Sequence, residues 1–146
     1  MNHYKIRSKT FSIVSEALPE EYSCTSPRMA GPVLRGIFDT LGLDQSNEHF
    51  MVVCLNAKGK VIGHKVVSSG METACLVNPA AVFRTALVLG GTSVLVAHNH
   101  PSGDPAPSRE DTALTAKLRA AGEMLGLTLA DHIVLGEGDR QHSFRA

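Results

Sequence analysis

Two histidines and an aspartate flank a loop that is rich in proline and glycine. His98 and His100 are separated by one residue, and Asp111 follows the loop at the start of a predicted helix. On a strand, residues two apart point to the same side, so the two imidazoles would face the same way. Two imidazoles and one carboxylate form the ligand set of a hydrolytic zinc site whose fourth position is left open for water. The pattern therefore predicts a metal-dependent hydrolase with Zn²⁺ as its cofactor.

Such a site also needs a base for the zinc-bound water and a donor for the developing oxyanion. Glu48, just before an apolar stretch, is the carboxylate that we favour as the base. Glu110 stays the alternative, although it neighbours a ligand on a helix and would tend to point away. Ser108 is the candidate donor to the oxyanion. Ser108 and Asp111 also have the spacing of a helix capping box, and a ligand at a helix start can cap that helix as well.

Local patterns predict three helices that would position these residues. Each begins at a capping residue, which is followed by proline in the first two cases. Apolar residues continue each helix at intervals of three and four, and a glycine closes the first two. The predicted helices run from Ser26-Pro27 to Gly42, from Asn78-Pro79 to Gly90-Gly91, and from Ser108 to about Leu125.

Short apolar runs between these helices predict strands. The first run is typical of a strand buried on both faces, and it forms a hairpin with the run that follows the next turn. A later strand leads directly into His98. Helices that alternate with a mixed sheet indicate an α/β or α+β protein. The predicted strands cover 50–55, 61–67, 93–97 and 127–135, with a short last one ending near Phe144.

Length and composition favour one ordinary globular domain. The chain has 146 residues, 43% of them hydrophobic and 19% charged. Fourteen basic and fourteen acidic side chains balance to a net charge of +0, which supplies no overall attraction to nucleic acid or to an anionic bilayer. The three cysteines form no Cys-x-x-Cys pair, and no apolar segment suits a signal peptide or a membrane span. We therefore expect a cytoplasmic protein without direct nucleic-acid binding.

The spacing Glu48, His98-x-His100, seven residues, Ser108, two residues, Asp111 resembles the JAMM (MPN+) metalloprotease motif. Further stretches resemble the C-terminal domain of bacterial RadC-type proteins over about residues 26–146. This resemblance predicts a domain at 26–146 after an N-terminal extension at 1–25. The stretches that carry it are Ser26-Pro27, Glu48-His49-Phe50, Leu55-Asn56, 97–105, 107–111 and Asp131-His132-Ile133.

The resemblance implies a cytidine-deaminase-like (JAB1/MPN) α/β/α sandwich with a mixed β-sheet. It implies that His98, His100 and Asp111 bind zinc. It also implies that Glu48 is the general base and that Ser108 stabilises the oxyanion. The implied activity is hydrolysis of a peptide or isopeptide bond in a peptide or protein substrate. Whether the chain forms a homo-oligomer stays open.

Two other functions stay open beside the hydrolase. RadC-type proteins usually carry a helix-hairpin-helix region before this domain, and residues 1–25 contain no matching motif. One alternative is nonetheless a DNA-repair or recombination accessory protein with a structural metal, and the other is a scaffold that binds partners. A deaminase is disfavoured, because no His-x-Glu is joined to a Pro-Cys-x-x-Cys.

Residues near the motif receive structural interpretations. We expect Asn99 to shape the loop, and His132 to support the site from the start of a strand without binding metal. The other histidines have no partner at ligand spacing and are expected on the surface. These are His3, His49, His64 and His142.

Overall fold

The computed structural model describes residues 12–13, 23–70 and 76–145. Within them, a six-stranded sheet has the order β1-β3-β2-β4-β5-β6, in which β4 and β5 are parallel and the other neighbours antiparallel. Helices pack on both faces, so the predicted α/β/α sandwich with a mixed sheet is confirmed. The elements are β1 Ser12–Ile13, α1 Pro27–Thr40, β2 Glu48–Leu55, β3 Val61–Gly70, α2 Pro79–Leu89, β4 Ser93–Asn99, α3 Arg109–Leu125, β5 Thr128–Leu135 and β6 Gln141–Ser143.

Helix α1 covers one face of the sheet. It begins where its sequence predicts, since Ser26 caps it and Pro27 occupies the first position. Its apolar side packs against alternate residues of the central strands and forms one of the two cores. On its polar side, Arg35 donates hydrogen bonds to the backbone oxygens of Gly136 and Arg140, at 3.1 and 2.6 Å. These bonds tie α1 to the turn between β5 and β6.

Helices α2 and α3 cover the opposite face. Asn78 caps α2 and Ser108 caps α3, and both helices end at a glycine in the left-handed conformation. The second core lies between these helices and the remaining residues of the central strands. Because both faces are covered, β2 is buried from His49 to Leu55, as its continuous apolar run predicts. None of the helices in the described part of the chain is both long and apolar enough to cross a membrane.

Several strands are longer than their sequence predicts. Strand β2 begins at Glu48 and β3 continues to Gly70, because these two residues pair across the hairpin. Strand β4 continues through Asn99, which pairs with Leu135 of β5. Pairing with a neighbour extends a strand into polar residues that interrupt its local pattern. The functional residues therefore lie within strands or directly beside their ends.

The predicted N-terminal extension falls largely outside the described residues, as do His3 and Cys75. Two described pieces of it join the sheet. Ser12–Ile13 pair with β3 as an edge strand, and Ser23 forms a bridge with Lys60. The sequence gives no periodic pattern in this region, and both pairings depend on contacts with distant residues.

The topology brings the predicted site residues to one edge of the sheet. Strand β2 is antiparallel to β4, so the start of β2 lies beside the end of β4. Helix α3 connects the parallel strands β4 and β5, so it begins at the edge where β4 ends. Glu48, the two histidines and Asp111 therefore meet although they come from three different elements.

Candidate metal centre

The end of β4 brings two imidazoles to the carboxylate at the start of α3. Nε2 of His98 lies 3.1 Å from Nε2 of His100 and 3.1 Å from Oδ1 of Asp111. Nε2 of His100 lies 3.2 Å from Oδ2 of Asp111. One ligand atom from each of the three side chains lies within 4.8 Å of the others. The structure thus brings together the three residues predicted as ligands, in a group that could hold a metal ion.

The dimensions of this group suit a small divalent cation. Two ligands about 2.0–2.1 Å from Zn²⁺ in tetrahedral geometry lie roughly 3.3 Å apart, and the two Nε2 atoms are 3.1 Å apart. His98 and Asp111 are buried, whereas the side chain of His100 is 16% exposed. The group therefore opens towards solvent on the His100 side. Imidazole and carboxylate donors bind several divalent first-row metals, so the donor set fits more than one of them.

The ring of His100 is oriented by the loop that follows it. Its Nδ1 lies 2.8 Å from the backbone oxygen of Asp104. A carbonyl oxygen only accepts hydrogen bonds, so Nδ1 carries the proton of the neutral ring. Nε2 then presents its lone pair towards His98 and Asp111. A histidine ligand whose other nitrogen donates to a carbonyl is a common arrangement in metal sites.

Asp111 is held by a capping box at the N-terminus of α3. Its backbone N–H donates to Oγ of Ser108 at 3.1 Å, and the N–H of Ser108 donates to Oδ2 of Asp111 at 2.8 Å. These two bonds fix the carboxylate while it faces both imidazoles. Asp111 therefore caps the helix and also lies in the candidate site, so the two interpretations of its spacing are compatible.

Electrostatic interactions keep Asp111 ionised. Burial raises the pKa of Asp111, but interactions with the neighbouring His100 and His98 side chains outweigh burial and hold the pKa well below its usual range. The neighbouring carboxylate of Asp111 raises the pKa of His100, against the opposing effect of burial. The buried carboxylate therefore presents negative charge where a cation would bind.

Glu48 reaches the same edge from the start of β2. Its Oε1 lies 3.9 Å from Nε2 of His98, and its side chain is 15% exposed. It is not one of the three side chains that converge as a ligand group. Glu110 is exposed in the first turn of α3. Of the two carboxylates considered as the base, the structure brings Glu48 to the ligand nitrogens.

Asn99 fixes the backbone on both sides of Glu48. Its Oδ1 accepts a hydrogen bond from the backbone N–H of His49 at 2.8 Å, and its Nδ2 donates to the backbone oxygen of Asn47 at 2.9 Å. The side chain is buried. Asn99 was predicted to shape the loop, but its contacts instead join the end of β4 to the start of β2.

The prediction that His49 lies on the surface is wrong. His49 is buried, with Nδ1 2.7 Å from Oγ of Ser69 and Nε2 2.8 Å from Oδ1 of Asp44. It is buried because β2 begins two residues earlier than predicted and pairs there with β3. Hydrogen bonds from Ser46, Asn47 and His49 lower the pKa of Asp44 to about 2. His64 and His142 are of intermediate exposure, between the buried His49 and a fully exposed side chain.

His132 lies within β5, not at its start, and is completely buried. Burial lowers its pKa to about 3, so the ring is neutral at physiological pH. Its Nε2 lies 2.9 Å from Nδ1 of His98, and its Nδ1 lies 2.6 Å from Oγ1 of Thr115. Sequence reasoning missed Thr115. The available signal was its position four residues after Asp111, which places both on one side of α3.

The loop from His100 to Pro107 is held against the end of β5. The N–H of His100 donates to the oxygen of Leu135 at 3.0 Å, and the N–H of Glu137 donates to the oxygen of Gly103 at 2.8 Å. A Cβ at Gly136 would lie 2.5 Å from that same oxygen of Gly103, closer than real Cβ atoms approach. Glycine at position 136 thus allows the loop to pack here.

Comparison with known proteins identifies the family. Residues 25–146 match the family model of the RadC-like JAB domain. The chain belongs to the RadC-like JAB domain family. This result confirms the resemblance on which the sequence-based roles of the site residues rest.

Curated relatives of this RadC-like JAB domain carry the name UPF0758 protein. The relative from Caldanaerobacter subterraneus subsp. tengcongensis is 41% identical over 119 residues, which are 82% of this chain and 49% of the relative. The relative from Symbiobacterium thermophilum is 46% identical over 107 residues, 71% of this chain and 46% of the relative. The relative from Methanosarcina barkeri is 45% identical over 95 residues, 65% of this chain and 42% of the relative. The chain spans about half the length of these relatives.

Proposed function

We propose that this RadC-like JAB domain is a zinc-dependent hydrolase that cleaves a peptide or isopeptide bond in a protein substrate. The observation that carries the proposal is the convergence of His98, His100 and Asp111 at 3.1–3.2 Å, with Oε1 of Glu48 3.9 Å from His98. A structural zinc site is closed by four protein ligands, whereas a catalytic site uses three and keeps one position open. Three converging ligands with a solvent-facing side support the catalytic type.

His98, His100 and Asp111 are the residues that would hold the ion. Zn²⁺ bound there supplies Lewis acidity, which polarises a carbonyl group and lowers the pKa of water from about 15.7 to about 7. The carboxylate of Asp111 contributes negative charge, and the two imidazoles contribute neutral nitrogen donors. The partial exposure of His100 gives a substrate access to this side of the site.

Glu48 is the residue that moves the proton in this proposal. Its Oε1 takes a proton from the attacking water as the new carbon–oxygen bond forms. The same oxygen then returns the proton to the amine nitrogen as the carbon–nitrogen bond breaks. Because one carboxylate serves as base and then as acid, the proton balance closes without another titrating group.

Ser108 assists at the oxyanion. Its Oγ accepts a hydrogen bond from Asp111 in the capping box, so its own hydroxyl hydrogen can point to a developing negative charge. Ser108 is exposed at the N-terminus of α3, where a substrate carbonyl can approach. The cap holds the hydroxyl and the carboxylate ligand in one rigid turn.

The variant Glu48→Gln tests the proposal, with Glu110→Gln as the matched control. Glutamine keeps the size of Glu48 but cannot take the proton. We expect Glu48→Gln to bind zinc like wild type and to cleave a peptide library at least about 100-fold more slowly, since general acid–base groups contribute about 10²–10⁴ in rate. Glu110→Gln should cleave at the wild-type rate.

Two results would overturn the proposal. One is wild-type cleavage by Glu48→Gln, which would remove Glu48 from the reaction. The other is a zinc-loaded wild-type protein that cleaves no member of a library of peptides and isopeptide-linked peptides. That second result would instead favour an accessory protein in which the metal is structural.

A further inference from the structure

A chain of hydrogen bonds connects the ring of His98 to the backbone of α3. Nδ1 of His98 lies 2.9 Å from Nε2 of His132, and Nδ1 of His132 lies 2.6 Å from Oγ1 of Thr115. Oγ1 of Thr115 lies 2.7 Å from the backbone oxygen of Asp111. All of these side chains are buried. The series of hydrogen bonds therefore begins at one predicted ligand, His98, and ends at the backbone of another, Asp111.

The direction of each bond in this chain follows from its last acceptor. The oxygen of Asp111 cannot donate, so the hydroxyl of Thr115 donates to it. The remaining lone pairs of Thr115 then accept, and Nδ1 of His132 must carry a proton. In the neutral ring of His132, Nε2 is consequently the acceptor, and Nδ1 of His98 donates to it. With its Nδ1 proton fixed in this way, His98 directs Nε2 towards His100 and Asp111.

The opposite arrangement would disable the site. If Thr115 donated to His132, its oxygen would face the carbonyl oxygen of Asp111 without a proton between them. His132 would then donate through Nε2, and Nδ1 of His98 would become the acceptor. A neutral His98 would carry its proton on Nε2, where a metal ion needs a lone pair.

We propose that His132, oriented by Thr115, is a positioning residue that holds His98 in the tautomer and ring orientation required of a metal ligand. This inference rests on the metal site of the proposed function and adds two residues to it. It gives His98 the support that the backbone oxygen of Asp104 gives His100. Partners of this kind fix the tautomer of a ligand histidine and raise its basicity.

Aromatic packing restricts the rings in this chain. Phe144 stacks on His132 with ring centroids 4.9 Å apart and an interplanar angle of 18°. Phe50 stacks on His98 at 5.7 Å and meets the edge of His132 at 5.5 Å. The two imidazoles therefore cannot rotate freely to exchange their hydrogen-bonding partners. Asp111 and Thr115 both belong to α3, so this one helix positions the carboxylate ligand and also the hydroxyl group that orients His132.

Nitrogen-15 NMR of ring-labelled, zinc-free protein tests the inference directly. The spectrum is recorded near pH 8, above the ordinary histidine pKa of about 6.5. We expect the proton of His132 on Nδ1 with Nε2 unprotonated, and a proton on Nδ1 of His98. A proton on Nε2 of His132 would overturn the inference, whether or not the protein binds zinc.

Zinc affinity of three variants gives the second test. Thr115→Val keeps the shape of the side chain and removes its hydroxyl, whereas Thr115→Ser keeps the hydroxyl. Thr112→Val is the control, because it removes an equivalent hydrogen bond to the backbone oxygen of Ser108 at an exposed position. We expect Thr115→Val to weaken zinc binding about 10- to 100-fold, the usual effect of removing such support. Thr115→Ser and Thr112→Val should bind like wild type.

Different results would contradict the role of His132 and the proposed zinc-dependent hydrolase. Wild-type affinity in a folded Thr115→Val protein would overturn the role of His132 and leave the metal site intact. A wild-type protein that binds no zinc would overturn the proposed function. The protonation of His132 in the zinc-free protein would still decide whether Thr115 fixes the tautomer.

Discussion

The side-chain oxygen of Asn99 accepts a hydrogen bond from the backbone N–H of His49, 2.8 Å away. The nitrogen of the same amide holds the backbone oxygen of Asn47, so both neighbours of Glu48 are attached to β4. Asn99 itself lies between the two predicted histidine ligands. The distance between the proposed base and the ligands is therefore set by a residue of the ligand strand.

Replacement of Asn99 by alanine should loosen the start of β2. The buried N–H of His49 would lose its partner, and an unsatisfied buried group costs about 1–3 kcal/mol. We expect Asn99→Ala to lower the free energy of unfolding in urea by about that amount. Amide hydrogen exchange at His49 should accelerate by more than the general increase that the lower stability causes at Leu95, in the middle of β4. Unchanged exchange at His49 would show that Asn99 does not hold this segment.

The carboxylate of Asp44 should make folding stability depend on pH in the acid range. Its hydrogen bonds lower its pKa to about 2 in the folded state, from an ordinary value of 3.8. The folded carboxylate thus binds a proton less tightly than the unfolded one. The contribution of Asp44 to the free energy of unfolding is fully present above its pKa in the unfolded state. It is lost as the pH falls through its pKa in the folded state.

The variant Asp44→Asn isolates this contribution from those of the other carboxyl groups. We expect wild type to be more stable than the variant at about pH 5, and the difference to shrink as the pH approaches about 2. Urea unfolding of both proteins across this range measures the difference. A difference that stays constant with pH would contradict the assignment of the effect to the ionised Asp44.

Gly136→Ala should disturb the loop that carries His100. The added Cβ would lie 2.5 Å from the oxygen of Gly103 and 2.7 Å from Cδ of Pro105. We expect a loss of about 1–3 kcal/mol in the free energy of unfolding, as is typical of overpacking. Zinc affinity should fall as well, because the displaced loop connects His100 to Asp111.

Gly36→Ala is the matched control for this glycine. Gly36 lies inside α1, and a Cβ there would meet nothing within 4 Å. Alanine in place of a glycine inside a helix should stabilise the protein by about 1 kcal/mol. Zinc affinity should not change. A destabilised Gly36→Ala, or a Gly136→Ala that is as stable as wild type, would contradict the packing described for these positions.

The elements with local signals could be predicted from the sequence. Ser26, Asn78 and Ser108 cap the three helices, because a capping side chain bonds within its own turn and needs no distant partner. The convergence of His98, His100 and Asp111 could also be predicted, since one strand, one short loop and one helix start connect them. Glu48 depended on the resemblance to the family, since 50 residues separate it from His98.

Features that depend on distant pairing could not be predicted. His49 is buried in contact with Asp44 and with Ser69 of the neighbouring strand, and no local sequence pattern indicates these two contacts. The bond between Thr115 and His132 joins α3 to β5, and only the packing of the helix on the sheet creates it. The extents of β2, β3 and β4 depend on strand pairing in the same way. The roles of Glu48 and Ser108 in catalysis stay predictions.

Metal analysis of the dialysed protein after incubation with zinc shows whether His98, His100 and Asp111 together bind a metal ion. We expect one zinc ion per chain in wild type and in Glu110→Gln, and a large loss of zinc in His100→Ala and Asp111→Asn, because each of these removes one of three ligands. Full zinc occupancy in His100→Ala, or no bound zinc in wild type, would show that these three side chains are not the ligands of a zinc site.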